Sequence, residues 1–199
     1  MPQYFEYDEN QKEDIREFDY FFGKERLRFR SDAGLFSAGH VDEGTDLLLR
    51  HIPPFSGSLL DLGCGWGAAG VTLGKAYGLG SITMSDINPK ALALAQHNCA
   101  QNGVTAQLVL SDGFAALDGS YDVIALNPPI HAGKDVMFAL YSGAAKRLNA
   151  GGALYVVILK KHGAQSTLKK LTEIFGSCEV LYQKKGCFVL RCVNQTAAP

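Results

Sequence analysis

Ser58-Leu59-Leu60-Asp61-Leu62-Gly63-Cys64-Gly65-Trp66-Gly67-Ala68 passes within eleven residues from an apolar run, through closely spaced glycines, into a stretch of small aliphatic residues. The order reads as a buried strand over Leu59 to Leu62, a tight turn, and a helix from Ala68 to Tyr77. Glycines let backbone approach a ligand, and a helix N-terminus offers unpaired N–H groups. Downstream the same alternation continues. Strand Ile82 to Ser85 is followed by a helix that opens with Asn88 as N-cap and Pro89 as first residue and closes at Asn102-Gly103. Strands follow at Gln107 to Leu110 and Tyr121 to Leu126. A helix from Val136 to Leu148 carries Val136, Leu140, Ala144 and Leu148 on one side, and after it come strand Leu154 to Leu159 and helix Thr167 to Phe175. Alternating strands and helices predict an α/β fold with a doubly wound, mostly parallel sheet. The ending differs, because Val180 to Gln183 and Cys187 to Cys192 are joined only by Lys184-Lys185-Gly186. That link is too short for a parallel crossover, so the last of seven strands should run antiparallel.

Upstream, residues 1–17 are polar and acidic with scattered aromatics and predict a loosely held arm. Phe18 to Phe22 and Glu25 to Arg30 flank Gly23-Lys24, which suits a type II′ hairpin. Leu27 and Phe29 alternate with Arg26, Arg28 and Arg30, placing three guanidinium groups on one face. A solvated hairpin side accounts for that stripe better than an RNA-facing one. Val41 to Ile52 reads as a helix halted by Pro53-Pro54. The expected division is an N-terminal extension and hairpin over 1–31 and one α/β domain over 32–199.

The 199-residue chain is 47% hydrophobic and 20% charged, the profile of a globular protein, and no apolar run approaches the ~20 residues of a membrane span. Its start, Met1-Pro2-Gln3-Tyr4, has no basic and apolar leader pattern, so a cytoplasmic location is expected. Five cysteines, odd in number and without Cys-x-x-Cys spacing, argue against a disulfide framework and a zinc site. The net charge of -1 gives no overall attraction to nucleic acid, yet the segment from Lys160 to Arg191 carries seven basic residues against Glu173 and Glu179.

Candidate site residues fall at strand ends, where open α/β sheets bind ligands. Gly65-x-Gly67-x-x-Gly70, with Asp86 roughly 20 residues on, satisfies a dinucleotide fingerprint. Asp61 speaks against a pyrophosphate there. A carboxylate just before the glycines repels phosphate but holds a cationic amino group, or caps nearby backbone amides. At the end of the Tyr121 to Leu126 strand stands Asn127-Pro128-Pro129-Ile130, in which two prolines stop the strand and hold the Asn127 side chain and the Pro128 carbonyl as a stiff pair of acceptors.

In these residues the chain resembles the class I S-adenosylmethionine-dependent methyltransferases, from Asp32 to Val193. Asp61-x-Gly63-x-Gly65-x-Gly67 is similar to the motif under the methionine part of S-adenosyl-L-methionine. Asp86 matches the acidic residue that binds the ribose hydroxyls, with Ile87 beside the adenine. Ser111-Asp112-Gly113-Phe114 resembles the segment whose aspartate meets the adenine amino group, and Asn127-Pro128-Pro129-Ile130 resembles the motif beside the transferred methyl. Within that class the likeness is to small-domain enzymes related to the guanine-N2 methyltransferases of ribosomal RNA. Gly34-Leu35-Phe36-Ser37, Asp42-Glu43-Gly44-Thr45 and the continuation His131-Ala132-Gly133-Lys134 carry it, with Phe36 near the methionine end. Ile130 departs from an aromatic residue that many relatives stack on the target base.

The resemblance implies a methyl transfer to the exocyclic amine of a guanine in ribosomal RNA or a ribosomal subunit, without a metal. Asn127 Oδ1 and the Pro128 carbonyl would each accept an amine hydrogen. Lys160 and Lys161 would hold phosphates, and His131 is a candidate for receiving the proton. A glutamine-amide methyltransferase acting on protein would use the same acceptors, and an NAD-dependent oxidoreductase stands as an alternative of another class.

Overall fold

The computed structural model describes residues 14–35 and 37–195. A hairpin of β1 (Ile15–Phe22) and β2 (Glu25–Asp32) leads to helix α1 (Glu43–His51). The alternating part follows as β3 (Ser58–Leu62), α2 (Ala68–Tyr77), β4 (Ser81–Asp86), α3 (Pro89–Asn102), β5 (Gln107–Leu110), β6 (Tyr121–Leu126), α4 (Lys134–Arg147), β7 (Leu148–Leu159) and α5 (Ala164–Phe175). The chain closes with β8 (Glu179–Lys184) and β9 (Cys187–Val193). The sheet order is β5-β4-β3-β6-β7-β9-β8. Strands β3 to β7 pair in parallel, and β9 runs antiparallel to both β7 and β8. This is the expected doubly wound, seven-stranded sheet with its last strand reversed.

Both faces of the sheet are covered, so its strands are apolar nearly throughout. Leu59, Val123, Ala125, Tyr155 and Val157 face one way, into a core completed by Val71 and Leu73 of α2, Leu48 and Leu49 of α1, and Leu27 and Phe29 of the hairpin. Leu60, Ile124, Leu126, Leu154 and Val156 face the other way, against Tyr141 of α4 and Leu171 of α5. The chain leaves β3 for β4 on one side, and the sheet continues through β6 on the other. The crevice between the ends of β3 and β6 is therefore the topological switch point where such sheets bind ligands. Among the described residues no helix is long and apolar enough to cross a membrane.

Several expectations shift at their edges. Strand β1 begins at Ile15, so Ile15 to Glu17 belong to the hairpin and not to a loose arm; the expectation for residues 1–13 lies outside the described residues. The ladder with β2 runs on through Ile15 opposite Asp32 and Glu17 opposite Arg30, and charges pair across its outer face. Glu17 accepts from Arg28 (3.0 Å) and Arg30 (2.6 Å), and Asp19 from Arg26 (2.6 Å), so the arginine stripe is an exposed, ion-paired face. Helix α1 starts at Glu43 because Asp42 caps it, accepting from the Thr45 N–H at 3.1 Å. In α4 the buried stripe is Met137, Tyr141 and Ala144, and the helix stops at Arg147. Leu148 opens the twelve-residue strand β7, six residues earlier than the apolar run alone suggests. Helix α5 likewise starts three residues early, at Ala164.

The hairpin is fastened by an unusual device. Strand β2 has β1 on one edge, and its other edge is completed by two side-chain amides one turn apart on α3. Asn98 Oδ1 accepts from Arg30 N (2.8 Å) while its Nδ2 donates to the Arg30 and Trp66 carbonyls (2.8 Å each). Asn102 Oδ1 accepts from Arg28 N (3.0 Å) and Nδ2 donates to the Arg28 carbonyl (2.8 Å). Each amide presents the acceptor and donor that a neighbouring strand would, and both side chains are buried. Asn98→Ala removes the side chain that bonds both Arg30 backbone groups and the Trp66 carbonyl and should cost about 2–3 kcal/mol. Urea unfolding followed by the fluorescence of the single tryptophan, Trp66, measures this. A loss below about 0.5 kcal/mol, the range of an ordinary surface change, would remove the strand-mimic account.

Candidate active site

A cavity of about 860 Å³ opens at the carboxyl ends of β3, β4, β6 and β7. Its floor is the turn between β3 and α2. Gly63 (φ 68°) and Gly65 (φ 55°) both take the left-handed backbone region, and a Cβ built on either would meet no atom within 4 Å. They line the cavity, so a side chain at either position would project into space left for a ligand. Gly67 has a different task. It does not line the cavity, and a Cβ there would come within 3.2 Å of Ala95, so it lets α2 and α3 approach.

Two carboxylates hold this turn from below. Asp61, at 5% exposure, accepts from the Gly70 N–H at 2.7 Å and so supplies the N-terminal acceptor that α2, beginning after Gly67, lacks from its own side chains. Asp86 accepts from Gly65 N (2.8 Å) and Asn88 N (2.9 Å). Burial pushes the Asp61 carboxyl up to about 7 against the opposing Gly70 hydrogen bond, with the nearby Asp86 charge adding to the rise. Burial also raises Asp86 above the ordinary carboxylate range, opposed by its backbone hydrogen bonds. A site that already strains to ionise two acids suits a ligand bringing positive charge and hydroxyl donors. These residues fit S-adenosyl-L-methionine and could hold it, with Asp61 available to its cationic methionine end, Asp86 to the ribose hydroxyls, and Ile87, 45% exposed and lining the cavity, to the adenine. Asp112 and Gly113 line the same end, on a turn that Ser111 builds by donating to the Gly113 carbonyl and accepting from Ala116 N.

At the opposite end of the cavity stand Asn127, Pro128, Pro129 and Ile130, with His131 beyond them. The Pro129 carbonyl accepts from Ala132 N (3.0 Å), closing a 3-10 turn over Ile130–Ala132. The Asn127 amide donates to Thr45 Oγ1 at 3.0 Å across 82 positions of sequence. Thr45 is 7% exposed and fixed by the Asp42 cap. With its N–H side so committed, Asn127 offers its Oδ1. Among the described residues no donor takes that oxygen or the Pro128 carbonyl. Both remain acceptors for a ligand.

The sequence-derived candidates thus gather around one cavity, with three exceptions: Gly67, turned to α3, and Lys160 and Lys161, exposed on the turn beside the cavity-lining His162. Phe36 lies outside the described residues. Reasoning from sequence passed over Thr45, whose role depends on a contact between distant segments. It also passed over Val136 and Leu140, which had been given to the core face of α4 and instead line the cavity, and over Lys185, which reaches the cavity from the β8–β9 turn. Among the described residues no three His, Cys, Asp or Glu side chains converge as a metal site would require.

Comparison with known proteins gives a consistent set. A family model described as "Methyltransferase small domain" matches residues 26–191. "Uncharacterized protein YbxB" of Bacillus subtilis (strain 168) is 39% identical over 168 residues, 82% of this chain and 84% of that protein. "Ribosomal RNA small subunit methyltransferase C" of Shewanella sp. (strain MR-4) is 39% identical over 133 residues, covering 65% of this chain but 39% of the relative. The solved structure of the T. thermophilus 16S rRNA N2 G1207 methyltransferase (RsmC), in complex with AdoMet and guanosine, superposes with a TM-score of 0.81 at 28% identity. It covers 90% of this chain and 50% of that one. The chain thus spans about half the length, or less, of these two ribosomal RNA methyltransferases.

The buried Asp61 has a consequence for stability. Its folded-state pKa lies above its unfolded value, so between about pH 4 and 7 the folded chain binds a proton that the unfolded chain has released, and stability falls as pH rises. Asp61→Asn keeps an acceptor for Gly70 and removes the charge. Its stability relative to the parent should therefore rise by up to about 1.4 kcal/mol per pH unit across that window and level off above it. Denaturant unfolding of both proteins from pH 5 to 8 checks this, and a pH-independent difference would contradict it.

Proposed function

The chain belongs to the methyltransferase small domain family and is an S-adenosylmethionine-dependent methyltransferase; on that premise we propose that its acceptor is the exocyclic N2 amine of a guanine in ribosomal RNA. The observation that carries the reading is the orientation of Asn127. Thr45 takes the amide N–H, so Oδ1 and the Pro128 carbonyl stand together as acceptors at the end of a cofactor-sized cavity. A planar aromatic amine has two hydrogens and a lone pair delocalised into its ring. Two acceptors that each take one hydrogen hold the amine with its lone pair facing the methyl-bearing end of the cavity, and positioning of this kind is a large part of catalysis. The same acceptor dipoles stabilise positive charge as it grows on the nitrogen. The bound cofactor supplies an electrophilic methyl group. As the nitrogen gains the methyl it loses a proton to water, with His131, exposed at the cavity mouth, placed to relay it.

Cations on the acceptor side favour RNA over a protein amide. Lys185 lines the cavity, Lys160 and Lys161 lie exposed on the adjoining turn, and Lys134 Cε would sit 3.9 Å from a Cβ added at Gly163 of that turn. Such a rim suits phosphates flanking a base drawn into the cavity. A ribosomal RNA acceptor also implies a cytoplasmic site of action. A glutamine amide would meet the same two acceptors but makes no use of these charges.

The test is transfer of a labelled methyl group to RNA, small ribosomal subunits and protein extract, with mapping of the product. N2-methylguanine is the expected product, and label confined to protein would overturn the assignment. Asn127→Ala should lower kcat by orders of magnitude with cofactor affinity little changed. Thr45→Val should lower it less and Thr45→Ser should restore it, whereas near-parental turnover in Asn127→Ala would sink the clamp. Replacing Lys160 and Lys161 together by Ala should weaken RNA binding and reduce the slope of log affinity against log salt by about 1–2, as loss of two phosphate contacts requires. An unchanged slope would return both lysines to a solvated face.

A further inference from the structure

Away from the cavity, Cys178 and Cys192 meet at the far end of the β8–β9 hairpin. Glu179 pairs with Arg191 in that ladder, so Cys178, one residue before, stands opposite Cys192, one residue after. The Cys192 thiol donates to Cys178 Sγ at 2.9 Å, closer than unbonded sulfurs ordinarily pack. Opposed residues on antiparallel strands have Cα atoms about 4.5–5.5 Å apart, inside the separation of about 4.4–6.8 Å that a disulfide spans. The pair needs no backbone movement to join. Cys192 is buried and Cys178 half-buried, which gives a small oxidant access to one sulfur and shields the other. The Cys192 hydrogen bond holds the Cys178 thiol below its usual range, whereas burial pushes the thiols of Cys64, Cys99 and Cys187 up. The nucleophilic thiol and its partner are thus already distinguished.

We propose that Cys178 and Cys192 form a redox modification site that closes to a disulfide under hydrogen peroxide. The Cys178 thiolate attacks one peroxide oxygen; the O–O bond breaks, Cys178 becomes a sulfenic acid, and the other oxygen leaves as water after taking up a proton. Cys192 sulfur then attacks Cys178 sulfur. The S–S bond forms as the S–O bond breaks, and the departing hydroxyl takes the Cys192 proton as a second water. Two thiols are oxidised and one peroxide is reduced to two waters. Among the described residues strand β8 is the outermost of the sheet and has only β9 as a ladder partner, so its opening is among the least costly local motions of the fold. The bond staples that strand at the end opposite the Lys184-Lys185-Gly186 turn and leaves the cavity untouched.

The full chain is treated with hydrogen peroxide, alkylated, and analysed by intact-mass and peptide mass spectrometry. The expected result is a loss of about 2 Da, alkylation of three of the five thiols, a cross-linked peptide joining positions 178 and 192, and recovery of all five thiols with dithiothreitol. Amide exchange in β8 should slow only in the oxidised parent. Cys192→Ser should leave Cys178 as a sulfenic or sulfinic acid with no cross-link, which shows that the second sulfur resolves the first. Five thiols still alkylatable after treatment, a link to another cysteine, or over-oxidation of Cys178 in the parent without a cross-link would each overturn the proposal.

Discussion

Two carboxylates, Asp61 buried and Asp86 half-buried, bear the turn on which the site is built. Asp61, next to last in β3, reaches the first turn of α2 through Gly70, and Asp86 ends β4 and takes Gly65 and Asn88. Both are acids kept in a place that disfavours their charge. Their neighbours supply only backbone N–H groups, which offset part of that cost. A strand end can hold a carboxylate there because the parallel sheet leaves its last carbonyls and side chains facing a crevice that no helix fills. The fold, the glycines and the two acids are one constraint: the acids tie the glycine turn to the ends of β3 and β4, and side chains at Gly63 or Gly65 would project into the cavity.

A second set of contacts connects this turn to the hairpin. Asn98 bonds the Trp66 carbonyl within the turn and both backbone groups of Arg30, and Phe29 and Phe18 pack on the Trp66 ring at centroid distances of 5.0 and 5.6 Å. The hairpin therefore acts as a wall of the same core. Exposed arginine pairs on its outer side add little to stability, since such pairs are screened by solvent. What holds it is the burial of Leu27 and Phe29 and the two amides that complete its edge. An edge strand satisfied by side chains also presents no free ladder on that side to another chain.

What could be read from sequence follows the range of the interactions responsible. Helix α3 is bounded as its residues dictate, because Asn88, Pro89 and Gly103 act within a turn of where they stand. The antiparallel ending was legible for the same reason, since a three-residue link admits only one direction. The face of α4 was not. Val136 and Met137 are adjacent and both apolar, and only the position of the cavity decides that the first lines a ligand site and the second the core. Strand β7 starts early because Leu148 meets Tyr121 and because Gly151 and Gly152 bond to Asn194, partners 27 to 43 positions away that no local pattern announces. Thr45 belongs to the same class: its spacing marks a core position on α1, and its contact with Asn127 comes only from how α1 crosses the sheet.

Ile130 shows how the parts divide the work of choosing a substrate. It lines the cavity and packs partly buried against the core beneath α4. At that place it forms an aliphatic wall, which would offer a base less stacking energy than a ring would. On the proposed RNA acceptor, selection then falls to two other features. Asn127 and Pro128 would take a pair of N–H groups, and the cations at Lys185 and the Lys160-Lys161 turn would meet the charge of a backbone. An amide of a protein satisfies the first of these and not the second. An anionic backbone without a base carrying an exocyclic amine satisfies the second and not the first. On that proposal, discrimination would come from requiring both at once, with Asn127 oriented by its Thr45 contact.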